Sequence, residues 1–273
     1  MLRLLLLLLK AYFAFVMNYV MAKKGLGQHF LTDDNIARKI TGAVKAGKDQ
    51  AVLEVGPGMG VLTSHLIERG YNDLKVVEID REAIEFLRNK YEKLSIIEGS
   101  FLDLQLEKYY NSEISIIGNF PYNISSQIMF RVLYYRDTIN EVTGMLQKEV
   151  AERICSPPGS KTYGILSVLI QAYYSVEYLF SVPPTVFSPP PKVKSGVIRM
   201  ERIKTGKPGY NEKLFFSVVK STFNQRRKII SNSLKPLLDT SAINDELMGK
   251  RPEQLGVNDF IRLTGLVERF IKK

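Results

Sequence analysis

The segment DQAVLEVGPGMG, residues 49–60, ends an apolar run on three closely spaced glycines. The apolar run predicts a buried β-strand, and VLTSHLIERG, residues 61–70, then continues as a helix that Gly70 closes. Glycines at the carboxyl end of such a strand let the backbone turn tightly and approach a ligand that lies over the sheet. A glycine turn of this length alone is also found in purely structural turns.

Outward from this segment, apolar runs and helical patterns alternate along the chain. The further strand-like segments are LKVVEID (74–80), LSIIEGSFLDL (94–104), ISIIGNFPYN (114–123), the first half of EVTGMLQKEVAERI (141–154) and SPPPKVKSGVIRMERI (188–203). The helical patterns are REAIEFLRNKYEK (81–93), the second half of 141–154 and the apolar GILSVLIQAYY (164–174). Such alternation predicts an α/β fold with a mostly parallel sheet and helices on both faces.

The pattern changes in the last quarter of the chain. The segment KTGKPGYNE (204–212) has the composition of a linker. The following NEKLFFSVVKSTF (211–223) is helical in pattern and places four apolar side chains on one face, namely Leu214, Phe215, Val218 and Val219. We therefore predict a large domain over residues 25–205 and a small helical domain over residues 206–273.

The first 20 residues, MLRLLLLLLKAYFAFVMNYV, carry six consecutive leucines and resemble the apolar region of a signal peptide. A membrane-spanning helix needs about 20 mostly apolar residues, whereas Lys10 and Asn18 interrupt this run. No small-residue cleavage site precedes Met21. A targeting segment and an extension upstream of a true start at Met21 are both open; we favour the extension, assign residues 1–24 to it and expect no stable membrane association.

Charge is distributed unevenly along the chain. The 38 Lys and Arg residues exceed the 28 Asp and Glu residues and give a net charge of +10, which favours a polyanionic or membrane-surface partner. From Lys192 to Lys235, twelve basic residues stand against two acidic ones, a net of +10 in this stretch alone. Within it, Arg226, Arg227 and Lys228 are predicted to contact the phosphates of a nucleic acid, although adjacent charges on a helix also mark an ordinary solvated face.

Cysteine and histidine are scarce. Cys155 is the single cysteine of the sequence, which excludes an internal disulfide, and His29 and His65 are its two histidines. We therefore predict no structural zinc and no other metal site. A reducing, cytoplasmic location fits this composition, and we expect a monomer.

The glycine turn and one carboxylate suggest a nucleoside cofactor. Glu78 ends the second predicted strand 22 residues after Gly56, the distance at which a carboxylate accepts hydrogen bonds from ribose hydroxyls. The dinucleotide pattern G-x-G-x-x-G starts at Gly56 and Gly58 but meets Val61 where it needs a third glycine. S-adenosylmethionine, which has no pyrophosphate, fits better than a nicotinamide dinucleotide. Asp103, after the third strand, is expected either to accept a hydrogen bond from the adenine amino group or to cap a helix.

The fourth strand ends on Asn119, Phe120, Pro121 and Tyr122, which suit the methylation of an exocyclic amine. The lone pair of such a nitrogen is delocalised into the base, and hydrogen-bond acceptors help to localise it. The Asn119 side-chain oxygen and the Phe120 carbonyl supply two acceptors, and Pro121 holds Phe120 extended. Tyr122 offers a ring on which an extruded base can stack. A proline-containing turn after a buried strand is the structural alternative.

The tetrapeptide resembles the N-P-P-Y-type motif of amino-directed nucleic-acid methyltransferases, and the resemblance extends over most of the chain. In order, the sequence is similar to the small-subunit ribosomal RNA adenine-N6,N6 dimethyltransferases at GLGQHFLTDDNIARKI (25–40), VLEVGPGMGVLT (52–63), VVEID (76–80), EGSFLDL (98–104), IGNFPYNISSQIMFRVL (117–133), MLQKEVAERI (145–154), VFSPPPKVKSGVIRM (186–200) and FNQRRKIISNSL (223–234). The resemblance implies a seven-stranded Rossmann-like domain, a helical C-terminal domain, S-adenosylmethionine as methyl donor, and two adjacent adenosines near the 3′ end of small-subunit rRNA as substrate.

The resemblance also implies roles for individual residues. His29 and Leu31 would line the cofactor site together with Gly56, Glu78, Asp103 and Asn119. Phe187 would pack on the target base opposite Tyr122, with core packing as its alternative. Two positions depart from the family pattern: His29 stands where Asn is often found, and Phe120 replaces a smaller residue.

These residues predict direct, in-line methyl transfer that relies on positioning and electrostatics, without a general base. Three other functions compete with the small-subunit enzyme. The large-subunit rRNA adenine methyltransferases of antibiotic resistance share its motifs, and the mitochondrial transcription factors of the superfamily use the fold to bind nucleic acid. A nicotinamide-dependent oxidoreductase is the third alternative.

Overall fold

A computed structural model describes residues 20–203, 209–241 and 243–271. These residues form two compact units. The first runs to Ala151 and includes Tyr178–Met200, and the second comprises Glu152–Glu177 and the chain from Glu201 onward. The predicted division near residue 205 therefore leaves out one segment of the second unit, because residues 152–177 cluster with the C-terminal helices.

The expected N-terminal extension also has a different boundary. Residues 1–19 lie outside the described residues, as does the first part of the predicted linker, residues 204–208. Val20 is buried in a cluster with Phe30 and Ala83. Residues 20–24 therefore belong to the first unit.

Nine strands are present among the described residues. They are β1 (Phe30–Leu31), β2 (Ala51–Val55), β3 (Leu74–Glu78), β4 (Ser95–Glu98), β5 (Ile114–Asn119), β6 (Ile139–Gln147), β7 (Tyr174–Val182), β8 (Phe187–Ser188) and β9 (Ser195–Arg202). Seven of them form one sheet in the order β4-β3-β2-β5-β6-β9-β7, while β1 and β8 pair antiparallel. The pairs β2–β3, β2–β5, β3–β4 and β5–β6 are parallel. The predicted α/β class with a seven-stranded sheet is confirmed.

The α-helices of the described chain are α1 (Asp34–Gly42), α2 (Val61–Arg69), α3 (Arg81–Lys90), α4 (Ser125–Tyr134), α5 (Lys148–Cys155), α6 (Ile165–Gln171), α7 (Glu212–Asn224), α8 (Ile230–Ser233) and α9 (Val257–Ile271). Short 3₁₀ turns cover Lys24–Leu26, Leu106–Lys108, Pro184–Val186, Glu246–Gly249 and Pro252–Gln254. Gly70 ends α2 with a φ of 70°, as the sequence predicts. No helix within the described ranges has both the length and the apolar character needed to cross a membrane.

The order of the strands determines where a ligand can bind. From β2 the chain moves outward to β3 and β4, and it then returns to the other side of β2 for β5 and β6. Loops at the carboxyl ends of β2 and β5 therefore leave in opposite directions and open a crevice between them. In sheets of this type, ligands bind in that crevice.

The second unit is built on aromatic packing between helices. The ring of Phe223 on α7 stacks on Phe260 of α9, with 5.8 Å between ring centroids. Of the apolar face predicted for α7, Phe215, Val218 and Val219 are fully buried, and Leu214 is partly buried. Helical periodicity in the sequence therefore identified the core of this unit correctly.

Candidate functional site

A cavity of about 270 Å³ lies at the carboxyl ends of the central strands of the first unit. Its volume is close to the lower end of the range for small-molecule sites, about 300 Å³. The lining comes from five stretches of chain, residues 25–30, 55–58, 77–79, 99–102 and 119–124. It includes His29, Gly56, Gly58, Glu78 and the whole of the tetrapeptide from Asn119 to Tyr122.

The glycine turn gives one wall of the cavity its shape. Gly56 and Gly58 have positive φ angles of 69° and 55°, which other residues rarely adopt. A Cβ atom on Gly58 would lie 2.7 Å from the ring of Phe30. Glycine is therefore required at residue 58 for two reasons, backbone conformation and close approach.

Glu78 lies beside this turn and is only 4% exposed. Its Oε2 accepts a hydrogen bond from the Gly58 N–H at 3.1 Å, and its Oε1 accepts from Ile79 and Asp80 at 2.8 and 2.9 Å. Burial raises the pKa of Glu78 above its ordinary value, although the three backbone donors partly offset this effect. The carboxylate is thus fixed in orientation at the edge of the cavity.

Residues 25–30 form a second wall, and Asp80 holds the start of this segment through Lys23 and Gln28. The Lys23 ammonium lies 2.5 Å from Asp80 Oδ1, and Gln28 Nε2 donates to Asp80 Oδ2 at 3.0 Å. Burial acts to raise the pKa of Asp80, but the hydrogen bonds from Lys23, Gln28 and the Glu82 backbone lower it overall. Sequence reasoning missed this contact, although Asp80 in VVEID directly follows the strand of Glu78.

Asn119, at the end of β5, presents its side-chain oxygen as an acceptor. Its Nδ2 donates to the backbone carbonyl of His29 at 2.8 Å, which fixes the amide and leaves Oδ1 as the acceptor atom. The backbone N–H of Phe120 donates to the Met145 carbonyl at 3.0 Å. Within the described residues the Phe120 carbonyl accepts no hydrogen bond.

The side chain of Phe120 points into the protein, where it is 1% exposed. Its ring packs directly over Gly118 of β5 and Gly144 of the neighbouring β6, at positions where added Cβ atoms would overlap it. The two glycines thus make room for a large residue at this position of the motif.

Tyr122 is the aromatic residue of the cavity wall. Its hydroxyl is hydrogen-bonded to the Oγ of Ser195, a fully buried residue of β9. Its ring centroid lies 5.5 Å from that of His29, with 35° between the ring planes. Burial raises the pKa of the Tyr122 hydroxyl, and the bond to Ser195 only partly opposes this. Tyr122 is therefore a neutral, anchored ring.

Asp103, expected at the cofactor site, does not line the cavity. Its side chain is exposed, and its backbone N–H donates to the Ser100 carbonyl in a turn. No helix starts at Asp103 either, since Gln105 precedes the next 3₁₀ turn. Ser100 and Leu102 of the same loop line the cavity instead.

Leu31 and Phe187 also lie elsewhere than expected. They face each other across the β1–β8 pair, and this pairing turns both side chains into the hydrophobic core. Phe187 is 4% exposed, so its ring offers no free face to a base, and core packing is the correct reading. Leu31 lines a separate cavity of about 30 Å³ beneath the glycine turn.

Glu54 lines the same small cavity, and no sequence pattern singles it out. The side chain is 1% exposed and accepts a hydrogen bond from Thr63 Oγ1 at 2.7 Å. Burial raises its pKa to about 8, opposed by the Thr63 hydroxyl and reinforced by the nearby charge of Glu78. The carboxyl is therefore mainly protonated at neutral pH.

This raised pKa predicts a pH-dependent contribution to stability. Since the pKa of Glu54 is about 8 in the folded chain and 4.5 ordinarily, the folded state holds the extra proton between these values. Glu54 therefore contributes most stability below about pH 4.5 and loses it as pH rises to about 8, by at most about 1.4 kcal/mol per pH unit. We expect Glu54→Gln to become more stable relative to wild type as pH rises.

Urea unfolding at about pH 5 and about pH 9 measures this difference. The exposed Glu92 on the same unit provides the matched control, because Glu92→Gln removes a solvated carboxylate. A constant difference between wild type and Glu54→Gln at both pH values would contradict the assignment.

The three cations predicted to contact RNA lie in the second unit, in the turn that follows α7 rather than on a helix. Arg226 is partly buried: its Nη2 donates to the Ser160 carbonyl at 3.3 Å, and its Nε lies 4.0 Å from Glu253. Arg227 and Lys228 are exposed. The three residues therefore differ in how freely they meet a partner.

Fold and cavity together place the first unit in the class of Rossmann-like methyltransferases. Among the described residues, no His, Cys, Asp and Glu side chains form a group that could hold a metal ion. The chain belongs to the ribosomal RNA adenine dimethylase family, whose model matches residues 20–260.

One relative and two solved structures show how similar the chain is to individual proteins. The chain is 54% identical over 261 residues to the ribosomal RNA small subunit methyltransferase A of Phocaeicola vulgatus, with 94% of this chain and 93% of the relative covered. A crystal structure of a dimethyladenosine transferase from Plasmodium falciparum matches with a TM-score of 0.75 at 24% identity, covering 89% of this chain and 98% of that one. The 23S rRNA methyltransferase ErmE matches with a TM-score of 0.63 at 26% identity, covering 89% and 99%.

Proposed function

We propose that the protein transfers methyl groups from S-adenosylmethionine to N6 of two adjacent adenosines near the 3′ end of small-subunit (16S) rRNA. The observation that carries the proposal is the Asn119 amide, whose nitrogen is bonded to the His29 carbonyl and whose oxygen is left as an acceptor in the cavity wall. Beside it stands the Phe120 carbonyl. Two oriented acceptors suit an amine with two N–H groups.

The cavity fits the cofactor by the chemistry of its walls. The fixed carboxylate of Glu78 would accept hydrogen bonds from the ribose hydroxyls, and the turn at Gly56 and Gly58 would let the backbone approach the nucleoside. Ser100 would take the place foreseen for Asp103, since Ser100 lines the cavity and Asp103 does not. When bound, the cofactor supplies an electrophilic methyl group on a sulfonium.

The acceptor residues would act by orientation. The Asn119 oxygen and the Phe120 carbonyl each take one N–H of the target adenine, which localises the nitrogen lone pair toward the methyl group. Tyr122 provides the stacking face. Methylation would exchange one N6 proton, which passes to water, for the methyl group that the cofactor supplies. The monomethylated amine retains one N–H for the second transfer.

The similarities favour the small-subunit target over the large-subunit one. Identity to the small-subunit methyltransferase is 54%, against 26% to ErmE. A role limited to nucleic-acid binding is less well supported, because the glycine turn, Glu78 and Asn119 all line one cavity. We propose a cytoplasmic monomer that acts on rRNA or on a precursor of the small subunit.

Arg227 and Lys228 are proposed to contact RNA phosphates, while Arg226 mainly holds the turn. Replacing Arg227 and Lys228 by Ala should weaken RNA binding and reduce the steepness of log affinity against log salt concentration by about 1 to 2. Fewer phosphates are then neutralised on binding, so fewer counterions are released. Salt-dependent binding to a small-subunit rRNA fragment measures the slope. The control replaces the exposed Lys48 and Lys93, which precede the amino ends of β2 and β4, at the edge of the sheet opposite the cavity. An unchanged slope would argue against phosphate contact.

The proposed activity is tested with the full-length chain, S-adenosylmethionine and, in separate reactions, unmethylated small subunits and large-subunit RNA. Mass spectrometry quantifies dimethyladenosine. Product from small subunits alone is expected. Product from large-subunit RNA alone would overturn the proposed target, and cofactor binding without any product would favour a binding role.

A further inference from the structure

His29 connects three parts of the acceptor end of the cavity. Its backbone carbonyl accepts the hydrogen bond from Asn119 Nδ2. Its ring Nδ1 lies 2.8 Å from the Pro189 carbonyl, and its ring packs beside Tyr122. One residue thus contacts the amide acceptor, the stacking ring and the loop that follows β8.

That loop, residues 189–194, is held at both ends by residues that line the cavity. Pro189, at its start, is bonded to His29, and Ser195, directly after it, is bonded to the Tyr122 hydroxyl. The ring contact between His29 and Tyr122 links the two residues that hold the ends of the loop. A change at His29 would therefore be transmitted to the loop and to Tyr122 together.

We propose that His29 is a positioning residue for methyl transfer, which orients the Asn119 amide through its carbonyl and holds the 189–194 loop against Tyr122 through its ring. The kinetic part of this inference rests on the proposed function. The contacts of His29 with other described residues lead to Asn119, to Tyr122 and to the loop.

The hydrogen bond to Pro189 fixes the protonation pattern of the ring. A backbone carbonyl has no proton to donate, so Nδ1 must carry the hydrogen. His29 is thus held with Nδ1 protonated, and when the ring is neutral Nε2 is the bare nitrogen. This pattern can be measured without any substrate or cofactor.

Nuclear magnetic resonance of protein labelled with ¹⁵N-histidine provides the first test. The chain has two histidines, so a His29→Asn spectrum assigns both rings. In mildly alkaline buffer we expect His29 as the Nδ1–H tautomer. An Nε2–H tautomer, with Nδ1 unprotonated, would overturn the bond to Pro189 and with it the proposal.

Two variants provide the kinetic test. Asn places its amide nitrogen the same number of bonds from the backbone as His Nδ1, so His29→Asn can still donate to Pro189. His29→Phe keeps a ring beside Tyr122 but has no donor. We expect kcat of His29→Phe to fall by about tenfold, the effect of one lost hydrogen bond, with His29→Asn closer to wild type. The cofactor Kd should remain unchanged in both.

Calorimetric titration of cofactor and thermal unfolding accompany the kinetics. A loss of cofactor affinity that accounts for the lost activity would overturn the positioning role in favour of a cofactor contact, as would equal losses of kcat in both variants. If wild type itself formed no dimethyladenosine, the proposed function would fail, whereas the tautomer measurement would still decide whether His29 holds the loop.

Discussion

Replacing Asn119 by Ala should reduce methyl transfer by about 10²- to 10³-fold, the range observed when one preorganised polar group is removed from an active site. The amide is held by its Nδ2 bond to the His29 carbonyl, so its oxygen costs no reorganisation when the amine arrives. Ala removes the oxygen and leaves N6 with the Phe120 carbonyl alone. Single-turnover assays with saturating cofactor measure the loss.

Cofactor binding should change little in this variant, because Glu78 and the glycine turn remain in place. Two further variants sharpen the result. Asn89→Ala makes the same chemical change at an exposed position of α3 and should be fully active. Asn119→Asp keeps an oxygen but loses the donor to His29, so it separates loss of the acceptor from loss of its orientation. Full activity of Asn119→Ala would refute the acceptor role.

The residues that the sequence located best are those whose position follows from strand ends. Gly56, Glu78 and Asn119 each stand at the carboxyl end of a parallel strand, and parallel strands bring these ends to one edge of the sheet. Apolar periodicity and glycine spacing therefore sufficed to bring them together. All three line the same cavity.

Residues that the sequence misplaced lie in loops or in long-range pairs. The sequence favours Asp103 as a hydrogen-bond acceptor after the third strand, but the direction of its side chain depends on a turn in which Ser100 faces the cavity. Phe187 is turned inward by pairing with Leu31, a contact between residues 156 positions apart. Neither feature has a local signal in the sequence.

The surroundings of the three adjacent cations also have no local signal in the sequence. The sequence placed Arg226, Arg227 and Lys228 on one helix as equivalent cations, yet the helix ends at Asn224 and the three side chains have different surroundings. Arg226 bonds to the Ser160 carbonyl, an acceptor that becomes adjacent only in the folded unit. Strand β7 has no counterpart among the predicted strands. The helix predicted for residues 164–174 extends into its first residue, Tyr174.

Replacing Glu78 by Gln should lower cofactor affinity by about a hundredfold, because hydrogen bonds to a charged acceptor contribute about 1.5–3 kcal/mol each. The change also disturbs the protein itself. Both carboxylate oxygens accept backbone N–H groups, Oε2 from Gly58 and Oε1 from Ile79 and Asp80. Either orientation of the Gln amide therefore sets an NH₂ group against a backbone donor, at a cost in stability of about 1–3 kcal/mol.

Titration calorimetry and urea unfolding separate these two effects. Since burial raises the pKa of Glu78 above its ordinary value, wild-type affinity should weaken as pH falls through that raised pKa and the carboxylate is protonated. The Gln variant has no such proton to gain, so its affinity should be the less dependent on pH over the same interval. Glu85→Gln, at an exposed position of α3, removes a carboxylate in solvent and should match wild type in both measurements. Wild-type affinity in Glu78→Gln would place the ribose elsewhere in the cavity and would leave the fixed carboxylate with a purely structural role in holding the glycine turn.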